Sequence, residues 1–125
     1  MASVKSRNTK PEIVVRRLVH RLGFRFRLHR RDLPGTPDIV LPRLRKVINV
    51  HGCFWHLHYC THARRAPVNN GEYWRRKRLR NVARDRRTSE LLKQAGWIPL
   101  VVWECELNQI ERLTKRIRHF LQPHA

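Results

Sequence analysis

A chain of 125 residues lies in the size range of one domain spanning 1–125, long enough for a single two- or three-layer core and too short for two. Its 28 Lys and Arg against nine Asp and Glu leave a formal charge of +19, a self-repulsion that a polyanion relieves, and nucleic acid is the natural polyanion. No apolar h-region follows Met1 and no run reaches bilayer-spanning length, so a soluble protein is expected, although charge alone also fits a membrane-surface or ribosome-associated protein.

The predicted elements begin at Thr9, which can cap a helix whose first turn holds Pro11 and whose Glu12 can complete a capping box. Ile13, Val14, Leu18 and Leu22 recur at helical spacing until Gly23. From Phe24 to Leu28 the pattern changes to alternation, Phe24, Phe26 and Leu28 against Arg25 and Arg27, which predicts a strand. The turn residues Leu33-Pro34-Gly35-Thr36-Pro37 lead into Asp38 and a short buried strand, Ile39-Val40-Leu41, closed by Pro42. Lys46 to Val50 is a third strand and Ile98 to Trp103 a fourth, with a helix between them from Tyr73 to Ala95. That helix holds eight basic residues between Arg75 and Arg87 and a thin apolar stripe. A last helix from about Leu107 to Leu121 places Ile110, Leu113, Ile117 and Leu121 at spacings of three and four. The order predicts an α/β fold, a mixed sheet flanked by helices.

Three cysteines, Cys53, Cys60 and Cys105, cannot all pair within one chain, which points to a reducing compartment. Two of them fall in His51-Gly52-Cys53-Phe54-Trp55-His56-Leu57-His58-Tyr59-Cys60, with three imidazoles in the same stretch. Zinc favours four soft or borderline ligands in a tetrahedron, and Cys53, His58, Cys60 and Cys105 would supply them, leaving no open position and therefore a structural role. The same spacing also fits cysteines that are simply small buried residues.

Among the acids, Asp38 at the mouth of a buried strand is costly unless paired or bound to a cation, and its carboxylate suits Mg²⁺ held against a phosphate. A turn cap or an arginine pair is the plainer account of Asp38. The capping box is the plainer account of Glu12, and an ordinary ion pair that of Asp85 among Arg84, Arg86 and Arg87. A histidine not engaged by zinc, such as His56, has the near-neutral pKa of a general base, and a carboxylate such as Asp85 could orient it.

Leu33-Pro34-Gly35-Thr36-Pro37-Asp38, His51-Gly52-Cys53-Phe54-Trp55-His56, Asn81-Val82-Ala83-Arg84-Asp85 and Val102-Trp103-Glu104-Cys105 together resemble the very short patch repair (Vsr) endonucleases, over about Thr9 to Leu107. The resemblance implies a restriction-endonuclease-like fold and a Mg²⁺-dependent nick 5′ of the thymine in a T·G mismatch of double-stranded DNA. It makes Asp38 the principal Mg²⁺ ligand, aided by the main-chain carbonyl of Val50. His56 becomes the general base, Asp85 its partner, and His51 and Glu12 supporting groups, while Cys53, His58, Cys60 and Cys105 match the family's zinc ligands. The usual acid-x-lysine strand motif of the wider nuclease superfamily would fall on Asn49, Val50 and His51, so a second strand carboxylate is missing here.

For recognition, Phe54, Trp55 and Trp74 are candidates to wedge between base pairs, where a mismatch lowers the cost of opening a step; the commoner place for a tryptophan is the core. Arg75, Arg76, Lys77, Arg78 and Arg80 would follow the phosphates, or form a solvated helix face. The likeness also places Met1 near an apolar wedge from the other groove, with only eight residues before Thr9. The expected protein is a cytoplasmic, nucleoid-associated monomer, with mismatch-repair proteins as further partners. A less selective structure-dependent nickase and a zinc-stabilised DNA-binding module without catalysis remain alternatives.

Overall fold

The structure, a computed structural model, describes residues 9–53 and 71–122. Helix α1 spans Lys10–Arg21 and opens as its residue types dictate: the Thr9 side chain accepts the Glu12 N–H at 3.4 Å and Pro11 sits in the first turn. The reciprocal half of the expected capping box goes to another use, because the Glu12 side chain turns inward and is buried. Gly23, at φ 89°, ends the helix in a conformation that a β-carbon disfavours.

The strand expected from Phe24 to Leu28 is shorter, with β1 only Arg27–Leu28. Phe24 and Phe26 pack on the core as the alternation requires, but Leu28 is exposed. The reason is position: β1 is a sheet edge with two paired residues, Arg27 to Val40 and Leu28 to Ile39, and His29 at φ 50° leads the chain out of strand geometry.

Strand β2 (Ile39–Leu41) pairs antiparallel with β3 (Lys46–His51), which pairs parallel with β4 (Ile98–Trp103), in the order β1-β2-β3-β4. Helix α2 (Gly71–Gln94) lies on one face. There Val40 and Val47, partners across the β2–β3 ladder, pack with Leu92 and Trp97. Ile39 and Ile48, the next pair, point the other way, into a core made with Val15, Leu18 and Val19 of α1, Val102, and Leu113, Ile117 and Leu121 of helix α3 (Ile110–Leu121). Helices thus cover both faces, which is why β2 is apolar at every position instead of alternating. Gly35 (φ 74°) lets the turn before β2 lie against α2, where a β-carbon would collide with the Thr88 side chain.

The last predicted helix divides into a 3₁₀ segment, Glu104–Gln109, followed by α3. Glu106 accepts the Trp103 N–H at 2.9 Å and takes Arg116 at 2.6 Å, which holds the tighter turn against the sheet end. As a result Ile110 is exposed and the buried stripe starts at Leu113. No helix among the described residues is long and apolar enough to cross a membrane.

Candidate active site

Strand directions bring the chemistry together. Because β2 runs against β3 while β4 runs with it, the start of β2 and the ends of β3 and β4 share one edge of the sheet. Asp38 precedes β2 at this edge and sits opposite Asn49, whose side-chain oxygen accepts the Asp38 N–H at 3.3 Å. The Asp38 carboxylate accepts the Val50 N–H at 2.7 Å. In extended chain the N–H and carbonyl of one residue leave the same edge of the strand, so the Val50 carbonyl is directed to the Asp38 side as well.

Glu12 reaches this point from α1. Its Oε2 accepts from the His29 Nε2 at 2.9 Å and lies 3.5 Å from the Arg16 guanidinium. His29 is fixed in turn through its own N–H, which donates to the Asp38 carbonyl at 3.3 Å. One ligand atom each from Glu12, His29 and Asp38 lie within 4.8 Å of one another, among the described residues the one such cluster of three. Burial pushes the Asp38 carboxyl up to about 6, and the neighbouring Glu12 charge adds to the rise against the opposing pull of the Val50 N–H and His29. A carboxyl whose ionisation is made costlier by its surroundings, with a second carboxylate beside it, is a group that could hold a cation, because a bound cation offsets both penalties.

His51 ends β3, with its ring edge-on to Trp103 at 5.3 Å between centroids. Asp85, carried by α2, has its carboxylate 3.9 Å from His51 Nδ1, longer than a hydrogen bond but inside ion-pair range. Asp85 thus lies on the His51 side of the site. Cys53 follows β3 and Cys105 lies in the 3₁₀ segment after β4, each two positions past the last ladder pair, His51 and Trp103. Cys53 is buried and Cys105 half-buried. Phe54, Trp55, His56, His58 and Cys60 lie outside the described residues.

Helix α2 presents Arg75, Arg76, Lys77 and Arg80 to solvent and leaves Arg78 and Trp74 half-buried. Trp74 packs edge-on with Tyr73, ring centroids 5.0 Å apart, and Lys77 lies 5.8 Å from its ring. Arg76 pairs with Glu72, one turn before it on the helix, at 3.3 Å. An exposed cationic row of this kind suits a phosphate backbone.

Three participants were not visible in the residue pattern. His29 sits before Arg30 and Arg31 with no motif to mark it, Asn49 lies inside an apolar strand, and Arg16 looks like any basic residue on a helix. A second carboxylate near Asp38 is supplied by Glu12, which comes from a helix and so escapes a strand motif.

Residues 1–62 match the family described as DNA mismatch endonuclease Vsr. The chain is 50% identical over 123 residues to the type II nicking enzyme V.XorIIP of Xanthomonas oryzae pv. oryzae, covering 98% of this chain and 90% of that protein. It is 38% identical over 122 residues to the type II nicking enzyme V.NmeAIP of Neisseria meningitidis, covering 94% and 86%. With the DNA mismatch endonuclease Vsr of Escherichia coli it shares 41% identity over 114 residues, covering 91% and 72%. The chain belongs to the DNA mismatch endonuclease Vsr family, a family of DNA endonucleases.

Proposed function

We propose that this protein is a Mg²⁺-dependent endonuclease that nicks one strand of double-stranded DNA 5′ of the thymine in a T·G mismatch, on a restriction-endonuclease-like fold. The observation that carries this reading is the half-buried Asp38 carboxylate with the buried Glu12 beside it at one sheet edge, in a chain of the Vsr family. Asp38 and the Val50 carbonyl would hold the cation, with Glu12 completing its charge balance. Mg²⁺ bound there supplies electrostatic stabilisation of charge developing on the scissile phosphate.

The remaining work falls to the chain's own groups. His56 takes the proton from the attacking water, a task that its near-neutral pKa suits. Asp85 orients the imidazoles of the site, a role supported by its 3.9 Å approach to His51. Cys53, His58, Cys60 and Cys105 form a closed structural zinc site. That Cys53 and Cys105 follow the ends of two neighbouring parallel strands supports it, because two thiolates near one end of the sheet would supply half of a tetrahedral set. Phe54, Trp55 and Trp74 wedge at the mismatch, and Arg75, Arg76, Lys77, Arg78 and Arg80 follow the phosphates. The enzyme acts as a monomer in the cytoplasm, at the nucleoid.

Strand-resolved cleavage of paired duplexes, one with a central T·G mismatch and one fully matched, tests the reading with Mg²⁺ and with chelator. A Mg²⁺-dependent nick confined to the mismatched thymine is expected. Equal cutting of both duplexes would replace it with a structure-dependent nickase, and binding without cutting would replace it with a DNA-binding module.

A further inference from the structure

The Glu12, His29 and Asp38 cluster holds a feature that a Mg²⁺ site does not need, an imidazole nitrogen. Mg²⁺ takes oxygen ligands and keeps its waters, whereas first-row transition ions accept imidazole as readily as carboxylate. Six ligands at about 2.1 Å from an ion stand about 3.0 Å apart when adjacent and about 4.2 Å apart when opposite. The 2.9 Å between Glu12 Oε2 and His29 Nε2 matches an adjacent pair, and the 4.8 Å that bounds the whole cluster closes to octahedral spacing with a small side-chain movement.

His29 is also held where it is. His29 occupies the left-handed region at φ 50°, a backbone conformation that non-glycine residues seldom adopt. The bond from its N–H to the Asp38 carbonyl ties its backbone to that of the proposed cation ligand, and its side chain is 15% exposed. Burial on this scale restricts the ring to the cluster, with Glu12 at its Nε2.

We infer that His29 is a nitrogen ligand that makes the Glu12 and Asp38 site selective for first-row divalent transition ions, Mn²⁺ among them, over Mg²⁺. The inference rests on the reading of Asp38 as a cation ligand. On binding, His29 presents the Nε2 lone pair of its neutral Nδ1–H form, reached by moving the proton between the ring nitrogens or, from the imidazolium, by release of the Nε2 proton to solvent, and that lone pair and both carboxylates face the ion. The site thus works with Mg²⁺ through its oxygens and binds Mn²⁺ more tightly through the added nitrogen.

The test is Mn²⁺ binding to the purified full chain without DNA, followed by electron paramagnetic resonance, with spin-echo modulation to detect a directly bonded ¹⁴N. The expected results are one Mn²⁺ site with ¹⁴N modulation and an affinity above that for Mg²⁺, measured by competition. In His29→Gln, whose amide can still donate to Glu12, the modulation should vanish and Mn²⁺ affinity fall about tenfold or more, with Mg²⁺ affinity changed by less than about threefold. Absence of ¹⁴N modulation in the unmutated protein, or its persistence in His29→Gln, would overturn the inference without any appeal to a variant's folding or activity. Nicking is scored separately: Mn²⁺ bound through nitrogen with no cleavage would sink the nuclease reading and leave this inference standing, and cleavage with no nitrogen ligand would do the reverse.

Discussion

Replacing Asp38 by Asn should stabilise the cation-free protein while abolishing cleavage. The folded carboxyl lies at about 6 against an ordinary 3.8, so the native state holds its proton more tightly than the unfolded chain does. The contribution of this group to stability is therefore fully present below the unfolded value and is lost as pH rises through about 6. About two pH units correspond to roughly 3 kcal/mol withdrawn from the native state at neutral pH. Asn carries no charge to desolvate, but its amide oxygen accepts the Val50 N–H (2.7 Å in the Asp38 protein) more weakly than a carboxylate, a loss of about 1 kcal/mol. The net gain is about 1–2 kcal/mol, or roughly 5 °C in Tm for a domain of this size. Thermal and urea unfolding in chelator at pH 8 and at pH 4 measure it. The Asp38→Asn variant should be the more stable at pH 8 and lose that advantage at pH 4, and saturating Mg²⁺ should raise Tm only in the unmutated chain. A variant less stable than the unmutated chain at pH 8, or a difference that ignores pH, would refute the argument that burial governs this carboxyl.

Four further outcomes follow from other parts of the molecule. Combined Arg75→Ala, Arg76→Ala and Arg80→Ala should weaken binding to matched and mismatched duplexes alike and make the slope of log affinity against log salt shallower by about 0.9 for each phosphate no longer neutralised, read by anisotropy across a salt series; an unchanged slope would remove α2 from the DNA interface. Purified protein should contain about one zinc per chain, and Cys105→Ser should lose the ion and lower Tm, as elemental analysis and calorimetry would show; a metal-free, equally stable native protein would exclude the zinc site. Ile117→Ala, in the fully buried stripe of α3, should cost about 2–5 kcal/mol in urea unfolding, whereas Ile110→Ala, on the exposed turn before it, should cost under about 1 kcal/mol. Gly35→Ala should be destabilising through both its positive φ and the collision with Thr88, and a neutral effect on Tm would mean that the turn does not lie against α2.

Local patterns were legible wherever one element sufficed to explain them. Thr9, Pro11 and Glu12 announce α1, the apolar run Ile39-Val40-Leu41 announces a strand buried on both faces, and Asp38 stands out because a carboxylate opens that run. The net charge and the Arg75 to Arg87 row name a polyanion as partner before any fold is known. Family motifs were equally visible, because they are short, contiguous and rich in chemically distinctive residues.

Meetings between distant elements were decided by the tertiary structure alone. Glu12 has the residue type and position of a capping-box acid, and only the packing of α1 against the sheet makes it a buried partner of His29 and a neighbour of Asp38. Leu28 continues a perfect alternation and is nonetheless exposed, since an edge strand of two residues has nothing beyond it to bury a side chain. Cys53 and Cys105, 52 positions apart in the chain, leave the same end of the sheet because β3 and β4 run parallel in register. The sequence by itself determined the order of helices and strands and the cationic surface that suits a polyanion, though not the two-residue extent of β1 or the 3₁₀ start of the last helix, since periodicity and charge are local or summed properties. Which carboxylate meets which imidazole depends on strand order, direction and register, and those are set by the packing of the whole chain.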